Sequence, residues 1–244
     1  MSIYKDAACA GAVAGTGLAE EFAGAGIEVE VADDTSTTFY AKATDALLNV
    51  SPCSEGLTYI EDSTPPAAPM ALATSPESPA NDNLPFLRGT ASGAETVELF
   101  KDSCGGTLLA SGTASEFATP GLQVRDGDIA DNRTTTLYVR AKDAAGNAST
   151  CASIDYVEDS LAPAVPTITG TDQPRATMNL VSPNLVKVKG TAPDAITVNI
   201  YTNSDCATAG AFGSREDFEG PGIAVSVLDN TTTTFFAKSF DGAM

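Results

Sequence analysis

Three stretches of this chain are near-copies of one another, and their spacing constrains every other reading of it. The fullest copy is Thr134 to Ser160, TTTLYVRAKDAAGNASTCASIDYVEDS. A second, TTFYAKATDALLNVSPCSEGLTYIEDS, runs from Thr37 to Ser63, and a third, TTTFFAKSFDGAM, begins at Thr232. Tyr40 to Tyr138, Tyr138 to Phe236 and Cys53 to Cys151 are each separated by 98 residues. A repeat of that length is too long for one turn of a solenoid and fits one small domain. Counting from these anchors predicts three units: 1–64, 65–162 and 163–244.

Inside the complete unit the apolar residues recur every second position. Leu84 to Ala91 and Thr96 to Asp102 alternate across a Ser92-Gly93 turn, with Val97 and Leu99 on one face. Leu122 and Val124, then Leu137, Val139 and Ala141, then Ile154 and Tyr156 continue the pattern. The first copy carries Ile27, Val29 and Val31 where the third has Ile223, Val225 and Val227. About seven short strands between Gly, Pro, Asp and Asn turns predict a β-sandwich. No ten-residue segment carries a helical apolar period. The fold class is therefore all-β, tandem sandwiches in a linear string. By alignment the first unit lacks its opening strands and the third its last strand. Missing strands expose apolar faces and sheet edges. The sequence is accordingly read as a window on a longer row of such units, the alternative being strands supplied by neighbouring molecules.

Charge and composition exclude several function classes. Acidic residues number 32 against 13 basic ones, a formal charge of −19. Affinity for nucleic acid or an anionic bilayer comes from Lys and Arg, so neither is an expected partner; divalent cations are the natural counter-charge. There is no His, which removes the His-dependent nucleophilic relays. No phosphate-cradling Gly loop joins a strand to a helix, and the carboxylate pairs recur at turns rather than converging on a cleft. The chain is read as a non-enzyme. No apolar run of about 18 residues occurs, so no membrane insertion is expected.

Five cysteines fall in two registers: Cys9, Cys104 and Cys206 in one, Cys53 and Cys151 in the other. Two per repeat, with the fifth unmatched, favours disulfides and an oxidising, extracellular setting. Two pairings stay open. Cys9 with Cys53 and Cys104 with Cys151 would close loops inside a unit. Pairing across units is favoured if the two registers lie at opposite poles of a sandwich, since cysteines with Cα atoms more than about 7 Å apart cannot be bridged.

The repeat resembles the bacterial immunoglobulin-like (Big-type) tandem domains of large secreted or cell-surface adhesins. The residues that carry the resemblance are Gly89-Thr90-Ala91 and Gly190-Thr191-Ala192, the turn Ala141 to Asn147, and the Asp-x-x-x-Pro-x-x-Pro joints after Asp62 and Asp159. In the first copy the turn becomes Asp45-Ala46-Leu47-Leu48-Asn49 and loses its Gly. The resemblance implies a structural and adhesive fibre or stalk, with neighbouring repeats as partners and a host-surface or glycan ligand. Carbohydrate- or protein-binding modules and spacers of secreted hydrolases are the alternatives.

An immunoglobulin-like strand order would bring the exit of one unit against the turn before the last strand of the next. Glu61 and Asp62 would then approach Asp143 and Asn147, while Glu158 and Asp159 would approach Asp241. Carboxylates with amide and carbonyl oxygens suit calcium, and the resemblance implies calcium-stiffened joints. Ordinary turn chemistry accounts for the same residues. The stretch Asp126 to Asp131 has the look of a calcium loop but lacks the acidic residue at its twelfth position and the flanking helices.

Overall fold

The computed structural model describes residues 1–125, 127–172 and 185–243. Its first repeat carries β1 (Ser2–Tyr4), β2 (Val13–Thr16), a helical turn α1 (Ala19–Ala23), β3 (Ser36–Lys42) and β4 (Leu57–Ile60). The second has β5 (Met70–Ser75), β6 (Phe86–Thr90), β7 (Thr96–Lys101), β8 (Thr107–Thr113), α2 (Ala114–Ala118), β9 (Leu122–Gln123), β10 (Arg133–Lys142) and β11 (Ala152–Glu158). The third has β12 (Thr167–Thr171), β13 (Leu185–Thr191), β14 (Thr197–Tyr201), β15 (Ala209–Ser214), α3 (Arg215–Glu219), β16 (Ile223–Ser226) and β17 (Phe236–Phe240).

The second repeat is a seven-stranded sandwich. One sheet has the order β5-β6-β9 and the other β11-β10-β7-β8, every neighbour antiparallel. This is the immunoglobulin-like arrangement of two sheets that share strands out of sequence order. Alternation decides which side faces in. On β10, Leu137, Val139 and Ala141 are fully buried, while Tyr138, Arg140 and Lys142 line the outer face. Leu87, Val97, Leu99, Leu109, Phe117, Val124 and Tyr156 fill the space between the sheets.

The third repeat repeats the plan with β12-β13-β16 against β15-β14-β17. Its core gathers Val188, Val198, Ile200, Phe218, Ile223 and Val225. The first repeat shows one sheet, β2-β1-β3-β4. Residues 27–31 there form no strand, contrary to their period-two pattern. The reason is pairing: the matching β9 and β16 each pair with the second strand of their repeat, and the first repeat has no such strand among the described residues. The same logic shortens β17. On β10, Arg133 to Thr136 pair with β11 alone, and residues 231–235, which have no such partner strand among the described residues, are not extended into the sheet.

The three helical turns are too short to give a period, but reciprocal capping marks α2 and α3. Thr113 Oγ1 accepts from Glu116 N at 3.2 Å while Glu116 Oε2 accepts from Thr113 N at 2.7 Å. Ser214 and Asp217 repeat this reciprocal pair, the capping box. α2 and α3 each drop an aromatic ring onto a glycine. A Cβ built on Gly89 would lie 2.9 Å from Phe117 Cζ, and one on Gly190 would run into the Phe218 ring at Cζ. The glycine of the Gly-Thr-Ala motif is where the ring presses on the strand backbone. Phe22, the matching ring in the first repeat, has no second sheet to enter and is 47 % exposed.

Candidate functional site

The joints between repeats are built from two loops and an exit strand. The loop before the long central strand turns on Asp34 and Asn132, both left-handed at φ 55°, with Asn230 at φ 54° in the third copy. Asp and Asn tolerate that conformation because their short side chains bond locally. Here they strap down the exit segment. Asp34 N donates to Glu61 Oε2 at 2.6 Å, and Asp34 Oδ1 accepts from Ser63 N and Thr64 N at 3.0 Å each. The hydroxyl of Thr64, then the backbone N–H of Ser63, hold the Asp34 carboxyl below the usual range. In the second repeat Asn132 N donates to Glu158 Oε2 at 2.6 Å, and Ser160 N donates to Asn132 Oδ1 at 3.1 Å. Glu158 is fully buried, and its Oε1 has no partner among the described residues. It lines a hollow of about 280 Å³ with Asn132, Arg133, Asp159 and Leu161.

The turn after each central strand is closed by its aspartate. Asp143 Oδ1 accepts from Asn147 N at 2.9 Å and Oδ2 from Asn147 Nδ2 at 3.1 Å. Asp45 holds Asn49 in the same two ways, at 2.8 and 2.9 Å. The first copy therefore keeps the turn without its Gly, with Leu48 at φ 66° standing where Gly146 sits at φ 94°. Desolvation opposes the charge on Asp143, but the Asn147 amide and nearby backbone N–H groups outweigh it and lower the pKa.

The predicted residues meet in part. Asn147 Nδ2 donates to the backbone carbonyl of Asp62 at 2.8 Å, which brings the turn of the second repeat onto the exit of the first. The carboxylates of Glu61 and Asp143 are each turned onto their own repeat. At the following joint Ser239 Oγ donates to Ala164 O at 2.7 Å, and Asn81 N donates to Ala243 O at 2.8 Å. Asp241 accepts from Ala243 N, and Asp159 from Leu161 N. The 241–243 turn, through Ala243, and the Glu158–Asp159 end of β11 thus both bond the Ala80–Asn81 segment. Among the described residues no group of three or more His, Cys, Asp or Glu is clustered as a metal site. Asp126 lies outside the described residues. Within the same loop, Asp128 is ion-paired with Lys101 at 2.8 Å, and Asp131 accepts from Asn83 at 3.0 Å.

The disulfides fall within repeats. Cys9 bonds Cys53 and Cys104 bonds Cys151, each with Cα atoms 5.9 Å apart, and Cys206 is free among the described residues. This resolves the two pairings left open by the sequence and overturns the case for bonds across units. β7 and β11 flank β10, so their backbones are about 9.6 Å apart at roughly 4.8 Å per strand. The turn 102–106 folds back over the outer face, with Gly105 against the Arg140 guanidinium. β11 begins only opposite Val139, partway along β10. Both shifts carry the cysteines off the poles.

Beside the turn lies a feature that sequence reasoning missed. Lys42, Arg140 and Lys238, equivalent in the three copies, each sit over an aromatic ring on the neighbouring strand: Tyr4 at 5.8 Å, Phe100 at 5.0 Å and Tyr201 at 5.8 Å. Such pairs contribute about 0.5–1 kcal/mol when exposed. In the second repeat Glu98 completes the group, with Arg140 Nη2 at 2.6 Å and Lys142 Nζ at 2.7 Å. The shared 98-residue spacing of the three cations was the available signal.

No protein-family model matches the chain, and no curated protein matches it. Solved structures do. The FN1–FN3 domains of chicken CNTN1 are 13 % identical, over 89 % of this chain and 74 % of that one, with a TM-score of 0.43. A 1.5-MDa bacterial ice-binding adhesin is 15 % identical, over 86 % of this chain and 74 % of that one, at 0.34. A Ca2+-stabilized adhesin of an Antarctic bacterium is 17 % identical, over 85 % of this chain and 56 % of that one, at 0.29. The fold assignment rests on the strand order itself. No helix among the described residues is long and apolar enough to cross a membrane.

Proposed function

We propose that the chain is a length of extracellular structural or adhesive fibre, a stalk of sandwiches at 1–64, 65–162 and 163–244 joined head to tail. The observation that carries this reading is the pair of bonds from Asn147 Nδ2 to Asp62 O and from Asn81 N to Ala243 O. In each bond the turn that follows a central strand touches the preceding repeat, which supports a head-to-tail rod. Prolines at 65, 66, 69, 163 and 166 restrict the connecting backbone, and the disulfides suit an oxidising compartment. The finer reading is a bacterial surface adhesin of the Big type, whose role is to hold a host-surface or glycan ligand at a distance.

Calcium belongs to the same proposal. Glu158 and Asp159 with Asp241 would hold it at the second joint, and Glu61 and Asp62 with Asp143 and Asn147 at the first. The unpartnered, buried Oε1 of Glu158 supports the second set, because a buried carboxylate oxygen without a partner is costly. A bound calcium would supply charge balance and lock the joint angle.

Small-angle scattering tests the stalk: a rod-like profile is expected, and a profile of repeats folded back on one another overturns it. Melting in calcium against a chelator tests the ion. A higher Tm in calcium, lost in Glu158→Gln, is expected. Identical melts remove calcium and leave the stalk standing.

A further inference from the structure

The second repeat carries a further contact, internal to it and beside the second joint. The segment 78–82, between β5 and β6, runs parallel to the end of β11, with Ala80 bridged to Glu158. Ala80 N donates to Val157 O at 3.1 Å, Asp159 N to Ala80 O at 3.0 Å, and Val157 N to Ser78 Oγ at 2.8 Å. Tyr156 Oη adds a bond to Asp82 O at 2.6 Å. Ala80 is 2 % exposed, and Tyr156 and Glu158 are 0 % exposed, so water cannot readily replace these bonds one at a time.

The placement of this patch matters because of where the chain enters and leaves. The repeat is entered at β5 and left at β11. Tension on the two ends pulls segment 78–82 and β11 in opposite directions along parallel strands. The hydrogen bonds between them are then loaded side-on and together, rather than opened in sequence from one end. Beyond that patch, the Cys104–Cys151 bond ties the β7–β8 turn to the start of β11 across a sequence separation of 47. Chain between the two cysteines lies off the path of the force.

We propose that the second repeat is a force-bearing unit with capped extension: the 78–82/β11 contact sets the load at which it yields, and Cys104–Cys151 limits how far it then lengthens. The biological role rests on the stalk reading above. The mechanical claim does not, since it concerns one repeat under load.

Single-molecule pulling of the whole chain from its two ends, in a Cys206→Ser background, tests both parts. At about 3.4 Å per extended residue, the sealed segment amounts to about 16 nm. Unfolding of the second repeat in C104S/C151S is expected to lengthen the chain by about 16 nm more than with the bond intact. Ser78→Ala, which leaves the bond in place, is expected to lower the yield force without changing the step length. If the cysteine variant fails to fold, dithiothreitol is added to the intact chain held under load. One thiolate attacks the disulfide, and the second closes the reagent's ring, releasing both cysteine thiols and a late step of about 16 nm. Equal step lengths with and without the bond overturn the cap. An unchanged yield force in Ser78→Ala overturns the clamp. A rod-like scattering profile alongside either failure leaves the stalk intact, and a folded-back profile alongside both successes removes only the stalk.

Discussion

The side-chain amide of Asn147 donates at once to Asp143 Oδ2, within its own turn, and to the carbonyl of Asp62, 85 residues earlier. One side chain therefore shapes the turn and fastens it to the preceding repeat.

Replacing it separates the two roles. Asn147→Ala is expected to cost about 1 kcal/mol of stability. It should also broaden the distance distribution between spin labels on the first and second repeats, measured by pulsed electron paramagnetic resonance. Asn49→Ala removes the matching turn bond and serves as the control. Equal broadening in both variants would mean that the Asp62 contact does not hold the joint.

Glu98 makes the fold sensitive to acid. Partial burial opposes its charge, but hydrogen bonds and positive charge from Lys142 and Arg140 outweigh that and hold the carboxyl below its ordinary value of 4.5. A depressed carboxylate contributes stability that is present above the unfolded value and lost as pH falls through the folded one. Urea midpoints should therefore drop as pH falls below about 4.5. In Glu98→Gln the drop should be shallower. An identical acid limb in both proteins would assign acid sensitivity to the turn aspartates instead.

Tyr156 does the reverse at high pH. Burial first, then the charges of Asp82 and Glu158, push its phenol up to about 12. The folded state holds this proton more tightly, so its contribution is complete below about pH 10 and fades as pH climbs towards 12. Of the six tyrosines, one should ionise late in an ultraviolet titration. That late phase should be absent in Tyr156→Phe, which leaves the Asp82 carbonyl short of its donor at a cost of about 1–3 kcal/mol.

The buried rings can be ranked by what covers them. Phe117→Ala and Phe218→Ala, both at positions without exposure, are expected to cost about 3–5 kcal/mol each. Phe22→Ala, at a half-exposed ring, should cost far less. Chemical denaturation followed by tyrosine fluorescence measures all three, and a Phe22→Ala cost equal to the others would contradict the open first repeat.

Much of the sandwich was legible because alternation and pairing obey the same period of two. Val97, Leu99, Leu137, Val139 and Ala141 were placed inward by spacing alone, and all five are fully buried. The strand pattern at Ile27 to Val31 misled, because a strand exists only beside a partner. Disulfide pairing was not legible either. It depends on the fold-back of residues 102–106 over β10, a tertiary path that leaves no periodic trace. At the joints, nothing in the sequence singles out Asp34 and Asn132, whose use is to strap Ser63 and Ser160. Only the left-handed backbone reveals it. The short helical turns were written in Thr113 with Glu116 and Ser214 with Asp217, a signal too brief for a test of helical period.

The ring-on-glycine contact also works as a search key. Gly89 precedes Phe117 by 28 residues and Gly190 precedes Phe218 by the same 28, so two weak motifs become one joint condition at fixed distance. A substitution at either end should be tolerated best when its counterpart changes too. Scanning a genome for that pair, rather than for either motif alone, would pick out further members of this unit by the steric bargain they share.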